Sequence, residues 1–227
     1  MTSFFRSATR CFLIALGATS CFFSAHAQVG LEAEPLEHFT TDAGKCTLVN
    51  GVQHESKLRF ELETTNLLKL GFRTHIVVWE QGEKNHLYAG EVKTFTIFNR
   101  VFISTNMAGQ APVVADSGDF EGFFVQLADS GKLQLARRYM IAANTGGMGG
   151  SRIWNEWLIR RRNGAWTEIP RPAMGGYSSK KFRQALQAFL ADRPDLLDSL
   201  NREALTYRDV AQAIRAYNSG ETTFFVE

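Results

Sequence analysis

Apolar and polar residues alternate most clearly at residues 57–63. Leu58, Phe60 and Leu62 alternate there with charged residues, which is the two-residue period of a strand with one buried and one solvated face. Further runs rich in aromatic or β-branched residues predict five more strands. They lie at residues 74–81, 92–98, 120–128, 132–142 and 153–161.

Short turn signals connect several of these runs. Residues 129–131 (Asp-Ser-Gly) separate the runs at 120–128 and 132–142, and Asn163-Gly164 follows the run at 153–161. Both connections contain a residue that adopts positive φ at low cost, as tight β-hairpins require. Consecutive hairpins predict an antiparallel sheet.

After residue 172 the apolar period changes from two to 3.6 residues, which predicts a first amphipathic helix. Its apolar positions are Phe182, Ala185, Leu186, Phe189 and Leu190. Pro194 suits the first turn of a second, short helix. A third is predicted at about 207–217, with Thr206 and Asp209 spaced as in a capping box and Gly220 placed to end it. The expected fold class is α+β: an antiparallel β-rich body followed by three short C-terminal helices.

The N-terminus has the pattern of an export signal. Arg6 and Arg10 precede an almost wholly apolar run, and residues 25–27 (Ala-His-Ala) have the small-x-small form that signal peptidase cleaves. The apolar run is shorter than the roughly 20 residues that a membrane-spanning helix needs. We therefore expect a cleaved signal peptide.

Cleavage between Ala27 and Gln28 predicts a periplasmic or secreted protein. The alternative is a lipoprotein acylated at Cys21, because residues 17–21 loosely resemble a lipoprotein box. The expected organisation is a signal peptide at 1–27, a lead segment at 28–45, a β-rich body at 46–172, a helical region at 173–220 and a tail at 221–227.

Charge and hydropathy exclude two classes of partner. Of the 25 basic residues, Arg6 and Arg10 leave with the signal peptide, so 23 basic residues balance the 23 acidic ones in the mature chain. A nucleic-acid partner is not expected, since phosphate binding needs a net basic surface. No later stretch of about 18 apolar residues occurs, so we expect no transmembrane span after cleavage.

The order of several motifs suggests a family. The sequence contains Glu91–Phe95 (EVKTF), Gly131–Leu135 (GKLQL), a tail from Phe182 through Pro194, and the pair Tyr217-Asn218. In this order they resemble uncharacterised exported proteins of Gram-negative envelopes, which have a β-rich body with EVKxF and GKxxLY strands and a helical C-terminal tail. The resemblance implies compartment and architecture, and carries no activity or catalytic residue.

Metal-binding spacings are absent from the sequence, which has neither H-x-x-x-H nor C-x-x-C. The mature histidines are scattered, at His38, His54, His75 and His86, so we expect structural roles for them, no metal ligand and no cofactor. Cys46 is the one cysteine left after cleavage. It is expected to be a buried thiol.

The most unusual stretch is residues 145–151 (Thr-Gly-Gly-Met-Gly-Gly-Ser), which lacks the Gly-Lys-Ser/Thr ending of a phosphate loop. A connecting segment is the first interpretation and a ligand or partner loop the second. Tryptophans and arginines follow it closely, so they could form a stacking surface, although strand parity points Trp154 and Trp157 to opposite faces. The candidate binding residues are Gly146, Gly147, Gly149, Gly150, Trp154, Trp157 and Arg160.

No catalytic residue is assigned. The G-x-S-x-G motif is nearly matched around Ser151 but fails at Ile153, and Asp116, Asp119 and Glu121 are typical of a solvated loop. The expected function is a non-catalytic binding or interaction module of the envelope, with an envelope protein or a small ligand as partner. The alternatives are a periplasmic hydrolase acting on glycan or peptide, and a β-rich carrier of a lipid or small molecule with a large apolar cavity.

Overall fold

The computed structural model describes residues 41–65, 71–111, 122–142, 152–172 and 179–222. Within these ranges the chain forms one antiparallel sheet followed by helices, which confirms the expected α+β class. The strands are β1 (Asp42–Leu48), β2 (Gln53–Thr65), β3 (Gly71–Glu80), β4 (Glu83–Tyr88), β5 (Val92–Ile97), β6 (Arg100–Thr105), β7 (Phe123–Ser130), β8 (Leu133–Ala142), β9 (Arg152–Arg161) and β10 (Thr167–Ile169). The helices are α1 (Lys180–Leu190), α2 (Pro194–Asn201) and α3 (Val210–Ser219).

The six strands predicted from the sequence correspond to β2, β3, β5, β7, β8 and β9. Four strands were not predicted as such, namely β1, β4, β6 and β10. Strand β1 begins at Asp42, ahead of the expected start of the body at Cys46. The Asn163-Gly164 turn joins β9 to β10, and Asn163 adopts the expected positive φ of 63°.

The sheet must curl because of one short connection. Its strand order is β10-β9-β8-β7-β6-β5-β1-β2-β3-β4, so β4 and β5 lie four strand spacings apart. In a flat sheet that separation is at least about 19 Å. The four residue steps from Tyr88 to Val92 reach at most about 14 Å. The sheet therefore bends until the end of β4 returns to the start of β5.

Hydrogen bonds hold this returning connection in place. Glu91 closes it as a turn, since its N–H donates to Tyr88 O at 2.9 Å and its Oε2 accepts from Tyr88 N–H at 2.9 Å. Val49 N–H donates to Glu91 O at 2.9 Å, and the Ser104 hydroxyl donates to Ala89 O. The connection is thus tied to both the β1–β2 turn and strand β6.

Aromatic rings fill the inside of the curl. Phe95 and Phe102 stack with ring centroids 4.5 Å apart, and Phe60 lies 5.3 Å from Phe102 and 6.2 Å from Tyr139. We call the whole buried set the interior core. It consists of Cys46, Leu58, Phe60, Ile76, Val78, Ala89, Val92, Phe95, Ile97, Phe102, Phe124 and Tyr139.

The three helices pack on the far part of the sheet, against β8, β9 and β10, and make a second core that we call the helix-facing core. Its sheet side is Leu133, Leu135, Trp157, Ile159 and Ile169, and its helix side includes Phe182, Leu186, Leu190, Leu196, Leu200, Val210, Ile214 and Tyr217. None of the described helices combines the length and apolar character that crossing a membrane requires.

The helix ends follow the local sequence. The Ser179 hydroxyl accepts from Phe182 N–H at 3.2 Å and caps α1, and α2 begins at Pro194 as predicted. Asp209 Oδ2 accepts from Thr206 N–H at 2.9 Å, so the two residues pair as predicted, although the regular helix α3 begins at Val210, about three residues after the predicted start. Gly220 ends α3 in the left-handed region, with φ 77°.

Asn218 ties α3 to the β7–β8 turn. Its side chain donates to Leu133 O at 2.8 Å and to Asp129 Oδ1 at 2.6 Å, and it accepts from Leu133 N–H at 2.9 Å. A Cβ atom at position 131 would lie 2.3 Å from Asn218 Cγ. Gly131 is therefore required for the close approach of this side chain.

Substitution Gly131→Ala should destabilise the chain by about 1–3 kcal/mol, because the added methyl group overlaps Asn218. Asn218→Ala should cost a similar amount through its lost hydrogen bonds. In the double variant the overlap is gone. Its loss of unfolding free energy should therefore be smaller than the sum of the losses in the two single variants. Urea unfolding followed by tryptophan fluorescence measures all three; strict additivity would contradict the proposed contact.

Candidate functional site

Several residues singled out from the sequence lie outside the described residues. These are the four glycines Gly146, Gly147, Gly149 and Gly150, together with Ser151 and the carboxylates Asp116, Asp119 and Glu121. Trp154 lies in β9, and its side chain is outside the described part of the chain. Their proposed roles stay predictions.

Trp157 lies on the helix-facing side of β9 and is 6% exposed. The Arg137 guanidinium stacks over its ring at 4.5 Å from the centroid. Its backbone N–H donates to the hydroxyl of Tyr207 at 3.3 Å, and burial raises the pKa of that hydroxyl. Trp157 therefore joins the sheet to the helices through its ring and its backbone.

Arg160 lies on the opposite face of β9, as strand parity predicts. Its guanidinium is 4.1 Å from the centre of the Trp166 ring, and it donates to Gln134 Oε1 at 2.7 Å and to Gly109 O at 3.0 Å. Trp166 in turn donates through Nε1 to Thr105 Oγ1 at 3.1 Å. The residue is 8% exposed, and burial lowers the pKa of Arg160. The structure thus places Arg160 in a satisfied network that holds the segment after β6.

The Cys46 side chain is part of the interior core and forms no disulfide, which confirms the expected buried thiol. Burial, followed by the nearby charge of Glu80, raises the pKa of Cys46. A raised pKa keeps the sulfur in the less nucleophilic thiol form at neutral pH. The contacts of Cys46 support a packing role.

A cluster of chemistry-bearing side chains lies instead on the outer face of β2, β3 and β4. The register pairs Glu61 of β2 with His75 of β3, and His75 with Tyr88 of β4. Alternate residues on these strands, such as Phe60 and Ile76, enter the interior core. Glu61, His75 and Tyr88 therefore point away from it. We call Glu61, His75 and His86 the histidine cluster.

The donor atoms of the histidine cluster all lie within 4.8 Å of one another. His75 Nε2 is 2.9 Å from Glu61 Oε2, and the rings of His75 and His86 are 5.0 Å apart between centroids. The Tyr88 ring also packs against His75, with centroids 5.5 Å apart. Two of the histidines that are scattered in the sequence, His75 and His86, are thus brought together here.

Burial differs sharply across the cluster. The side chain of His75 is only 5% exposed although it lies on the outer face, and that of Glu61 is 25% exposed. His86 is exposed and, among the described residues, makes no hydrogen bond or ion pair, while its ring contacts His75. The cluster therefore combines a buried histidine with an exposed one.

Charged and aromatic groups border the cluster on the same face. The Arg59 guanidinium pairs with Glu61 Oε1 and lies 5.5 Å from the Trp79 ring centre. The Lys84 ammonium lies 5.8 Å from the same ring. Two cations thus lie within cation–π distance of one indole.

An open hollow of about 550 Å³ lies at the β3–β4 turn. It is lined by Glu55, Ser56, Trp79, Glu80, Gln81, Glu83 and Asn85. Two of its carboxylates already have partners, since Lys45 binds Glu55 at 2.5 Å and His54 Nδ1 pairs with Glu80. Its residues Ser56, Glu80, Glu83 and Asn85 have the strand parity of the interior core, so this polar, open hollow lies mostly off the outer face.

Sequence reasoning missed the histidine cluster because its residues are far apart in the chain. The sequence pattern predicted that Glu61 lies on the solvated face of one strand and that His75 lies on a second strand. Their register depends on the connection at 66–70, whose length the alternation does not determine. Strand β4, which carries His86, was not predicted as a strand. The parity of β2 and β3 was the one available signal.

Comparison with protein-family models, with curated proteins and with solved structures finds no match to this chain. The proposed binding site therefore rests on the geometry of the described residues.

Replacing Arg160 by Lys should lower the free energy of unfolding by about 1–3 kcal/mol, because lysine loses the planar stack on Trp166 and one of the two guanidinium contacts. Arg162→Lys is the matched control, since Arg162 is exposed and should change stability by less than about 0.5 kcal/mol. Urea unfolding measures both. Unchanged stability in Arg160→Lys would favour a binding role for Arg160.

Proposed function

We propose that this chain is an exported, non-catalytic binding module of the cell envelope, and that its binding site is the outer face of β2, β3 and β4. One observation carries the proposal: the polar ring of His75 is almost fully buried on the outer face, between Glu61, His86 and Tyr88. Burying a polar ring is costly unless it is hydrogen-bonded, and Glu61 supplies that partner for His75. Clustered polar groups of this kind are typical of binding sites.

The inside of the curled sheet supports binding at the outside. The carrier alternative needs a large apolar cavity, and the interior is filled by rings such as Phe60, Phe102 and Phe124, each at most 1% exposed. This filled interior does not favour an enclosed lipid or small molecule. The export part of the proposal rests on the N-terminal sequence pattern.

A thermal unfolding scan of the purified chain against glycans, lipids, peptides, nucleotides and divalent metals tests the binding proposal. A ligand at 100 times its Kd adds about 2.7 kcal/mol to the native state, which should raise the unfolding temperature by about 5–10 °C for a domain of this size. The rise should be reduced in His86→Gln, which changes an exposed residue of the site. His54→Gln should leave it unchanged.

Two results would contradict this function. One is a rise that His86→Gln leaves intact, which would place the ligand elsewhere. The other is turnover of an envelope substrate that a single point substitution abolishes, which would make the chain an enzyme.

Expression in a Gram-negative host followed by intact-mass measurement tests export. The periplasmic protein should begin at Gln28. The variant Cys21→Ser separates the alternatives: processing after Ala27 should continue unchanged, whereas a lipoprotein would lose its acylation site and remain unprocessed. A mass that includes residue 1 in the exported protein would contradict both.

A further inference from the structure

The histidine cluster offers the donor atoms of a transition-metal site. Two imidazole nitrogens and one carboxylate oxygen come from Glu61, His75 and His86. This set of ligands suits Zn²⁺ and neighbouring divalent ions. Each ligand comes from a different strand of one continuous register, so the sheet itself holds their backbones in place.

The spacing needs only small side-chain movements to match a metal. With bonds of about 2.0–2.2 Å, two ligand atoms of a tetrahedral ion lie about 3.4 Å apart. His75 Nε2 and Glu61 Oε2 are 2.9 Å apart, so they must separate slightly. No two donor atoms of the cluster are more than 4.8 Å apart, so the widest pair must approach by at most about 1.4 Å. Rotation of the exposed His86 side chain supplies that movement.

Arg59 orients the carboxylate. It pairs with Oε1 of Glu61, while Oε2 of the same group faces His75. A ligating carboxylate is commonly fixed by such a partner on its other oxygen. A metal ion between these two atoms would replace the hydrogen bond that now joins His75 Nε2 and Glu61 Oε2.

We propose that Glu61, His75 and His86 bind a divalent transition-metal ion, with Zn²⁺ as the representative, on the outer face of β2, β3 and β4. This inference rests on the proposed function and names the ligand class of the same site. Three protein ligands leave a fourth coordination position for water or for a donor group of a partner. The metal ion would thus bridge His75 and a donor group of the bound partner.

Titration calorimetry with ZnCl₂ on the purified, chelator-treated chain tests the inference, and the visible absorption of Co²⁺ reports its coordination. We expect uptake of a single equivalent and a Co²⁺ spectrum typical of four-coordinate nitrogen and oxygen ligands. His86→Gln and Glu61→Gln should each weaken Zn²⁺ binding by at least about ten-fold. His54→Gln is the matched control, since His54 pairs with Glu80 outside the cluster, and its affinity should equal that of the parent.

The fold of each variant is checked by its unfolding temperature without metal, and His86→Gln should keep the parent value because the residue is exposed. No saturable uptake of Zn²⁺ or Co²⁺, or an affinity that His86→Gln and Glu61→Gln leave unchanged, would overturn the metal site. If another ligand class then raises the unfolding temperature in a His86-dependent manner, the binding function stands alone. If no ligand class does so, the result contradicts both the metal site and the proposed binding function.

Discussion

The short connection between β4 and β5 is the constraint on which the rest of the structure depends. It joins two strands that a flat sheet would hold about 19 Å apart or more, and only Ala89–Glu91 lie between them. Because the chain is too short to span that distance, the sheet must curl, and the curl creates an enclosed side that apolar residues fill. The rings of Phe60, Phe95 and Phe102 supply that filling. The same curl turns the alternate residues of β2, β3 and β4 outward, where they form the candidate site.

The sheet continues beyond the strands that form the curl, and the helices pack on that continuation at β8, β9 and β10. Strand β8 serves both cores with residues of the same parity: Leu133 and Leu135 contact the helices, whereas Tyr139 enters the interior. The hydrogen bonds of Asn218 fix where the helices sit on that strand. This gives a physical meaning to the short motifs of the sequence, since the glycine of the GKLQL segment and the asparagine of the Tyr217-Asn218 pair contact each other. Their role in this chain is structural.

Local patterns predicted much of this fold and little of the site. Alternation of Leu58 and Phe60 with charged residues identified β2, and the 3.6-residue period identified α1, because each pattern reflects burial of one face of its own element. Strand β4 lacked such a pattern: four of its six residues are exposed, and it lies at the end of the strand order. The meeting of Glu61, His75 and His86 depends on register across three strands. Register arises from connection lengths and tertiary packing, which single-strand patterns do not encode.

The two polar networks of the described chain differ in what remains for a ligand. Around Arg160 the hydrogen bonds to Gln134 and Gly109 and the stack on Trp166 occupy the guanidinium, so a ligand would have to break existing contacts to bind there. Around His75 an incoming ion would replace one contact, the hydrogen bond between His75 and Glu61. His86 adds a nitrogen-bearing ring that forms no hydrogen bond within the described residues. A buried donor beside an exposed one therefore lets an ion gain more bonds than are lost. That difference makes the outer face of β2, β3 and β4 the stronger candidate for binding.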